Sequence, residues 1–280
     1  MPSTLDMRRR IKSVKNTSQI TKAMEMVAAA KMRKAQAAAL AGRPYQELLT
    51  RVLSAIKGHV DPKSHPLLEV RPVNQELILI FATDKGLCGP LNTNLFRELA
   101  DIDPTKTQFG VMGKKAAQYL GRTKRNLVAD YALKDAVRYA DIRPIGKYVA
   151  DKFISGEVDS VRVLYPKFVN TLRQEPALRA LLPIPAEELD VEKQTGEFLF
   201  EPDVHGVLDA ILPHYVAFQL FQMALNARAS EHSARMVAMK NATDNAKQMI
   251  QDLTLEYNKV RQANITTELL EITTAQLAVE

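Results

Sequence analysis

The last part of the chain contains no residue that breaks a helix. Gly206 is the last glycine and Pro213 the last proline, so 67 residues follow Pro213 without either. At about 1.5 Å per residue, a continuous helix of that length would measure roughly 100 Å, which exceeds the diameter of a small domain. The sequence therefore predicts a long C-terminal helix, over 207–280, that extends beyond a compact body.

One face of this helix carries a regular stripe of residues. They recur at spacings of three and four, as in the heptads of a coiled coil. The stripe comprises Ala229, His232, Met236, Met239, Thr243, Ala246, Ile250, Leu253, Tyr257, Val260 and Asn264. His232, Thr243 and Asn264 are its polar members, and polar positions in such a stripe usually fix the register of paired helices or leave a face for other partners.

The N-terminal part of the chain has a similar character. Neither glycine nor proline occurs between Pro2 and Gly42, and good helix formers dominate this stretch. We expect the helix to continue from Tyr45 to Lys57 and to stop at Gly58. The spacing of the apolar residues assigns its stripe to Ile11, Val14, Ile20, Met24 and Val27.

The two terminal helices are the obvious partners for each other. An isolated long helix with one apolar stripe is not stable in water, so each needs a surface on which to bury that stripe. We therefore predict an antiparallel coiled coil between residues 1–58 and 207–280.

The middle of the chain, residues 75–203, alternates between strand and helix patterns. Apolar runs predict strands at 77–82, 109–112 and 161–165, with 198–200 as a further edge strand, and helices at 94–99, 114–120 and 145–154. This order predicts a small Rossmann-like α/β domain with a mainly parallel sheet and helices on both sides.

Charge and composition exclude several classes of protein. Residues 1–58 contain 12 Lys/Arg and 3 Asp/Glu. This excess of positive charge would suit binding to phosphates, to anionic lipids or to an acidic protein surface, and the alternative is a solvated helix face. The single cysteine excludes an intrachain disulfide. Neither a membrane-spanning run nor a signal-peptide core is present, so we expect an uncleaved chain in a reducing compartment.

The sequence offers little catalytic chemistry. The glycine turn at 84–89 follows a predicted strand, but it lacks both the dinucleotide-binding and the P-loop patterns, so a structural turn is the favoured interpretation. Cys88 has no histidine near it in sequence, the histidines are scattered, and Glu187 and Glu188 are explained by a solvated loop. We expect no active site, no metal and no cofactor.

Three motifs, however, closely resemble signatures of one family. The motifs are Ile20–Ala29 with Lys31–Lys34, Thr83–Gly89 with Asn92, and the C-terminal pair Ala234–Ala246 and Tyr257–Leu269. They are similar, in the same order and over essentially the whole chain, to the gamma subunit of F-type ATP synthases. Pro90, Ala275 and Gln276 depart from the family pattern in detail. The single cysteine excludes the regulatory dithiol of the chloroplast form and favours a bacterial type.

The resemblance implies a mechanical function. Gamma subunits of this family are the central rotor shaft, which couples proton-driven rotation of the membrane c-ring to conformational changes of the catalytic beta subunits. The implied partners are the alpha, beta and epsilon subunits and the c-ring. Membrane association would be indirect, at the cytoplasmic face of the bacterial inner membrane, and the chain itself would be non-catalytic and free of cofactors.

The resemblance also implies residues for coupling to the beta subunits. Their positions in this sequence are Met24, Lys31, Arg33, Lys34, Arg235, Arg261, Gln262, Thr266 and Glu268. The C-terminal ones, from Arg235 onward, would either hydrogen-bond those subunits or brace the shaft. An apolar tip formed by Ile265, Leu269, Leu270, Ile272, Leu277 and Val279 would sit in the hydrophobic sleeve of the alpha/beta ring. The alternatives for these residues are an ordinary polar helix surface and a simple coiled-coil core.

Two other classes of function compete with the rotor. A basic coiled-coil scaffold or nucleic-acid-binding protein would place Arg8, Arg9, Arg10, Lys12, Lys15 and Lys22 on phosphates, and its binding would weaken steeply with salt. An α/β enzyme with helical arms would require a cofactor motif. The family resemblance implies that nucleic acid is not a partner.

Overall fold

The computed structural model describes residues 4–57, 65–185 and 203–277. In chain order, the elements are α1 (Thr4–Lys57), a 3-10 turn (Pro66–Leu68), β1 (Glu76–Phe81), α2 (Leu91–Arg97), β2 (Thr107–Met112), α3 (Lys114–Arg122), β3 (Leu127–Tyr131), α4 (Tyr139–Ile154), β4 (Ser160–Phe168), β5 (Gln174–Leu182) and α5 (Val204–Leu277). The chain divides into a first unit of residues 1–28 and 236–280 and a second unit of residues 29–235.

The first unit pairs the start of α1 with the end of α5. Thr21 Oγ1 lies 2.8 Å from Thr243 Oγ1, and Arg8 Nε donates to the hydroxyl of Tyr257 at 2.8 Å. Moving from position 21 back to position 8 in α1 corresponds to moving from 243 forward to 257 in α5. The two helices therefore run antiparallel with a nearly constant register, as the coiled-coil prediction requires.

The predicted stripe on α5 is confirmed over most of its length. Every member from Ala229 to Val260 is buried or half-buried, whereas Asn264 is exposed. The stripe predicted on α1 is partly wrong, because Ile20 is 61% and Val27 56% exposed. The inward positions of α1 are Met7, Ile11, Val14, Ser18, Thr21, Glu25 and Ala28. Several of these inward positions hold small or polar side chains. The buried face of α1 therefore lies one residue away from its most apolar face.

The second unit is built on a five-stranded sheet. Its strand order is β3-β2-β1-β4-β5; β1 pairs in parallel with β2 and β4, β2 pairs in parallel with β3, and β4 pairs antiparallel with β5. The central strand β1 is buried along its whole length, which is typical of a parallel strand covered on both faces.

Alternate side chains of β1 enter two separate cores, as the two-residue period of a strand requires. Leu77, Leu79 and Phe81 pack with α4 and with parts of α1 and α5. Ile78 and Ile80 face α2 and α3. Helices therefore cover both faces of the sheet. The predicted fold class, long helical arms in an antiparallel coiled coil and a small, mainly parallel α/β domain, is confirmed.

Several element boundaries differ from those predicted. The helix expected at 94–99 begins at Leu91, and that expected at 145–154 begins at Tyr139. Helix α5 begins at Val204 and includes Pro213. Strands β3 and β5 were not predicted. The strand expected at 198–200, the stop at Gly58 and the loop carrying Glu187 and Glu188 lie outside the described residues, and the domain boundaries 1–58, 75–203 and 207–280 stay predictions.

No helix in the described ranges combines the length and apolar character needed to cross a membrane.

Helix α4 packs on α5 in the second unit through a glycine. A Cβ atom at Gly146 would lie 2.8 Å from both Cα and Cβ of Ala217. We expect Gly146→Ala to lower the free energy of unfolding by about 1–3 kcal/mol, because one helix must move away from the other. Gly121→Ala in α3 is the matched control, since a Cβ there meets nothing within 4 Å. Denaturant unfolding of the full chain measures both variants, and equal stabilities would contradict this packing.

Candidate partner-binding site

The turn Thr83–Gly89 follows the carboxyl end of β1 and is held by its own polar groups. Thr83 Oγ1 donates to the carbonyl oxygen of Lys85 at 2.8 Å and accepts from Asn92 Nδ2 at 2.8 Å. The main-chain N–H of Lys114, at the start of α3, donates to Asp84 Oδ1 at 3.1 Å. A carboxylate of the chain itself thus lies at this helix N-terminus, and the geometry is that of a structural turn.

The thiol of Cys88 lies inside the turn. Its Sγ is 3.5 Å from Asn92 Nδ2, and the side chain packs in a small cluster with Leu91 and Ala234. Burial raises the pKa of the thiol above its ordinary value, which outweighs the opposing effects of Thr83 and Arg235. Cys88 therefore stays protonated at neutral pH, which suits an inert structural cysteine rather than a nucleophile.

The outer part of the turn is exposed. Lys85, Gly86 and Leu87 face solvent, and the side chain of Leu87 is 61% exposed. Leu87 also has a φ of 63°, in the left-handed region that leucine rarely adopts. The surrounding structure must hold this residue in place, because such a conformation costs of order 1–3 kcal/mol.

Arg235 lies against this turn rather than reaching out from the chain. Its Nη2 donates to Glu231 Oε1 at 2.8 Å and to the carbonyl oxygen of Lys85 at 3.3 Å, and its Nε donates to that of Gly86 at 3.4 Å. Of the two roles implied by the resemblance, contact with a partner or bracing of the shaft, this geometry supports bracing.

The three basic residues predicted on α1 are exposed, but one has a partner within the chain. Lys31 Nζ donates to Asp135 in the segment between β3 and α4. This hydrogen bond is the main reason that the pKa of Asp135 lies below its ordinary value. Arg33 and Lys34 are exposed on the same helix.

Met24 lies in the first unit, close in sequence to the Thr21–Thr243 contact. Its side chain is half-buried, and the next residue, Glu25, pairs with Lys22. Met24 is therefore at the border between the buried face of α1 and its exposed face.

The end of α5 forms an exposed segment, residues 261–274, in which every residue is solvent-exposed. It carries the predicted contact residues Arg261, Gln262, Thr266 and Glu268. Among its apolar side chains, Ile265, Leu269, Leu270 and Ile272 are 47–60% exposed. The side chains of Leu277 and Val279, also predicted for the tip, are outside the described part of the structure.

The threonines of the exposed α5 segment bond to their own helix. Thr266 Oγ1 donates to the carbonyl oxygen of Gln262 at 2.9 Å, and Thr267, Thr273 and Thr274 bond in the same way to carbonyl oxygens one turn earlier. Arg261 stacks over the ring of Tyr257, with 5.9 Å from its guanidinium carbon to the ring centroid. The structure thus brings four predicted residues onto one exposed helix end in the first unit, whereas Arg235 belongs to the second unit.

Sequence reasoning missed Glu231, which holds Arg235, and Arg228, which pairs with Glu231. Arg228 and Glu231 are buried, and Arg228 Nη1 donates to Glu231 Oε2 at 2.6 Å. They precede the motif that begins at Ala234. Charged residues that recur at spacings of three and four directly beside the predicted stripe could have indicated them, since residues at these spacings lie on one helix face.

These features define a coiled-coil protein with a small α/β domain, whose conspicuous surfaces are exposed helix faces and a braced turn. The comparisons with known proteins agree with this class. A family model described as ATP synthase matches residues 3–279. The ATP synthase gamma chain of Opitutus terrae is 49% identical, and that of Methylacidiphilum infernorum 46% identical, each over 99% of both chains. The chain belongs to the ATP synthase gamma-chain family.

Solved structures show the same fold. A chain in the OSCP/F1/c-ring structure of the Euglena gracilis mitochondrial ATP synthase matches with a TM-score of 0.74 and 22% identity, covering 99% of this chain and 94% of that one. A chain in the central stalk/c-ring structure of the Tetrahymena thermophila mitochondrial enzyme matches with a TM-score of 0.62 and 25% identity, covering 80% and 99%.

The Lys31–Asp135 pair yields a pH prediction. Because the pKa of Asp135 is lower in the folded chain than its ordinary value of 3.8, the pair stabilises the fold above about pH 4 and loses this effect as the pH falls through the folded-state pKa. Both side chains are substantially exposed, so the pair contributes about 0.2–1 kcal/mol at neutral pH. A double-mutant cycle with Lys31→Met and Asp135→Asn, measured by unfolding at several pH values, isolates this coupling energy. A coupling energy that persists in strong acid would contradict the assignment.

Proposed function

We propose that this chain is the rotating central stalk of an F-type ATP synthase and transmits rotation of a c-ring to catalytic beta subunits. The observation that carries the proposal is the exposed α5 segment, a regular helix end that leaves several large apolar side chains in water. Contiguous exposed apolar surface usually marks a protein interface. A hydrophobic sleeve in a ring of alpha and beta subunits suits this segment in shape and chemistry.

The basic residues of α1 suit a second contact. Arg33 and Lys34 are exposed on the same helix as Lys31, and Arg8, Arg9 and Arg10 are exposed nearer its start. Acidic segments of the beta subunits would pair with such residues. These exposed pairs would guide approach and register more than they would add to affinity.

The α/β domain would supply a further set of contacts. Its helices and sheet edges offer surfaces for the epsilon subunit and the c-ring, and the chain would reach the membrane through the c-ring. The location that follows is the cytoplasmic face of a bacterial plasma membrane, as a peripheral subunit.

Coupling would work through differential contacts. The faces of the α5 end differ, with half-buried Tyr257 and Val260 on one side and exposed Leu255 and Glu256 on another. Each beta subunit would meet a different face at each step of rotation. The affinity of a catalytic site on a beta subunit can change only as far as its contacts with the shaft differ in free energy between states. An asymmetric shaft could therefore change the affinity of each site in turn as it rotates. ATP chemistry would belong to the beta subunits, and this chain would be non-catalytic.

Reconstitution tests the proposal directly. Purified alpha and beta subunits, mixed with this chain, should give a stable complex that hydrolyses ATP and holds one copy of the chain per ring. Duplex DNA is the competing ligand, because the basic residues of α1 would also suit phosphates. A tight, steeply salt-dependent DNA complex, without assembly of the ring, would support the nucleic-acid alternative and overturn the rotor.

Met24 provides a sharper test of coupling. Met24→Lys places a cation at the border of the buried face of α1, where it should form new contacts with an acidic neighbour in the ring. We expect ATP hydrolysis to continue while protons pumped per ATP hydrolysed fall several-fold in membrane vesicles that hold the complete enzyme. Met249→Lys is a suitable control, because Met249 is 52% exposed on α5. Unchanged pumping per ATP in Met24→Lys would show that this position does not take part in coupling.

A further inference from the structure

The connection between α5 and the turn Thr83–Gly89 depends on one buried carboxylate. Arg228, Glu231 and Arg235 are three and four residues apart, so they share one face of α5. Glu231 is 5% exposed, and each of its oxygens accepts from a different arginine, at 2.6 Å from Arg228 and 2.8 Å from Arg235. A buried carboxylate is stable only when paired in this way.

The two arginines use their other N–H groups on backbone carbonyls of two different segments. Arg228 Nη2 donates to the carbonyl oxygen of Leu133 at 2.6 Å and lies 3.6 Å from Asp84 Oδ2. Arg235 donates to the carbonyl oxygens of Lys85 and Gly86. Two guanidinium groups and two carboxylates thus form a charge-balanced cluster that ties α5 to the turn and to the segment after β3.

The distances show which contact depends on which. The bond from Arg235 to Glu231 is short and charge-assisted, whereas its contacts with the carbonyl oxygens measure 3.3–3.4 Å and are weak individually. Without Glu231, the flexible guanidinium would gain more by turning into solvent than by keeping two long bonds. The turn would then lose the group that holds its backbone near the left-handed Leu87.

We propose that Glu231 is a positioning residue, whose carboxylate holds the Arg235 guanidinium against the carbonyl oxygens of Lys85 and Gly86 and so fixes the turn that presents Lys85 and Leu87 to a partner. The role in coupling rests on the proposed rotor function, whereas the role in positioning the turn stands on this chain alone. Asp84 and Arg228 complete the charge balance of the cluster.

Cys88 reports on the position of the turn. It is the sole cysteine of the chain, follows the exposed Leu87 in sequence and is buried in a cluster with Leu91 and Ala234. In Glu231→Gln, the turn should open locally, and reaction of Cys88 with a maleimide should accelerate by roughly fivefold, the factor that one lost hydrogen bond is worth. The rate is measured on the full chain over a pH range that spans the thiol pKa, because a changed pKa moves the midpoint of the rate profile, whereas opening of the turn raises the limiting rate of the thiolate.

Two controls separate positioning from general stability. Gly146→Ala loosens α4 against α5 away from the turn, so it should destabilise the chain with little effect on Cys88. Arg228→Gln/Glu231→Gln restores the charge balance but leaves Arg235 without its partner, so Cys88 should remain reactive even where stability recovers. Equal labelling of Glu231→Gln and the unmodified chain, or labelling that follows stability across all variants, would overturn the proposal.

Coupling is measured in the complete enzyme in membrane vesicles. We expect Glu231→Gln and the double variant to hydrolyse ATP but to pump several-fold fewer protons per ATP. Glu175→Gln, which removes an exposed carboxylate paired with Arg173, should pump normally. If the unmodified chain does not support pumping, the rotor function fails. If Cys88 becomes reactive while pumping per ATP stays normal, positioning of the turn by Glu231 is supported and its role in coupling is overturned.

Discussion

The architecture depends on the need of each long helix to bury one stripe of its surface. In the first unit, the start of α1 and the end of α5 meet this need through an antiparallel pairing that runs from Thr21–Thr243 to Arg8–Tyr257. In the second unit, other parts of the same helices pack with the sheet through residues such as Leu53 and Val216. Both helices therefore gain their stability from packing rather than from helix propensity alone.

The seam of the first unit favours close approach over apolar bulk. Ser18, Thr21 and Ala28 of α1 face inward, while larger apolar side chains such as Ile20 and Met26 remain exposed. A narrow pair of helices with apolar groups on its outside is what we would expect if other subunits surround it. Hydrophobic stabilisation scales with the buried apolar area, so this seam contributes less of it than a seam filled with leucine would.

Much of the fold could be predicted because its signals are local. The long intervals without glycine or proline predicted both terminal helices, and the apolar runs predicted β1, β2 and β4. Strand β5 carries Pro176 and helix-forming Leu, Ala and Arg residues, so its strand conformation comes from pairing with β4 at the sheet edge, where proline is tolerated. The stripe predicted on α1 is wrong at Ile20 and Val27, because these apolar side chains are exposed while small and polar side chains occupy part of the buried face.

The candidate site was predictable to a smaller extent. The resemblance supplied Arg235 and the exposed residues of α5, but not the contacts that give Arg235 its role. Arg235, which Glu231 holds, lies 149 positions along the chain from Gly86, and Lys31 lies 104 positions from its partner Asp135. No local pattern records such distances along the chain, and they become visible when the elements are packed in three dimensions.

The threonines at the end of α5 affect how this helix end could move against a neighbouring surface. Each hydroxyl donates its proton to a carbonyl oxygen of its own helix. The proton is therefore committed, so each hydroxyl can accept a hydrogen bond from a neighbouring subunit but has no proton left to donate to one. In the proposed rotor, this would reduce the number of directional bonds that break between the helix end and a surrounding ring when the shaft turns. The chemistry of these side chains would then lower the resistance to rotation at this segment.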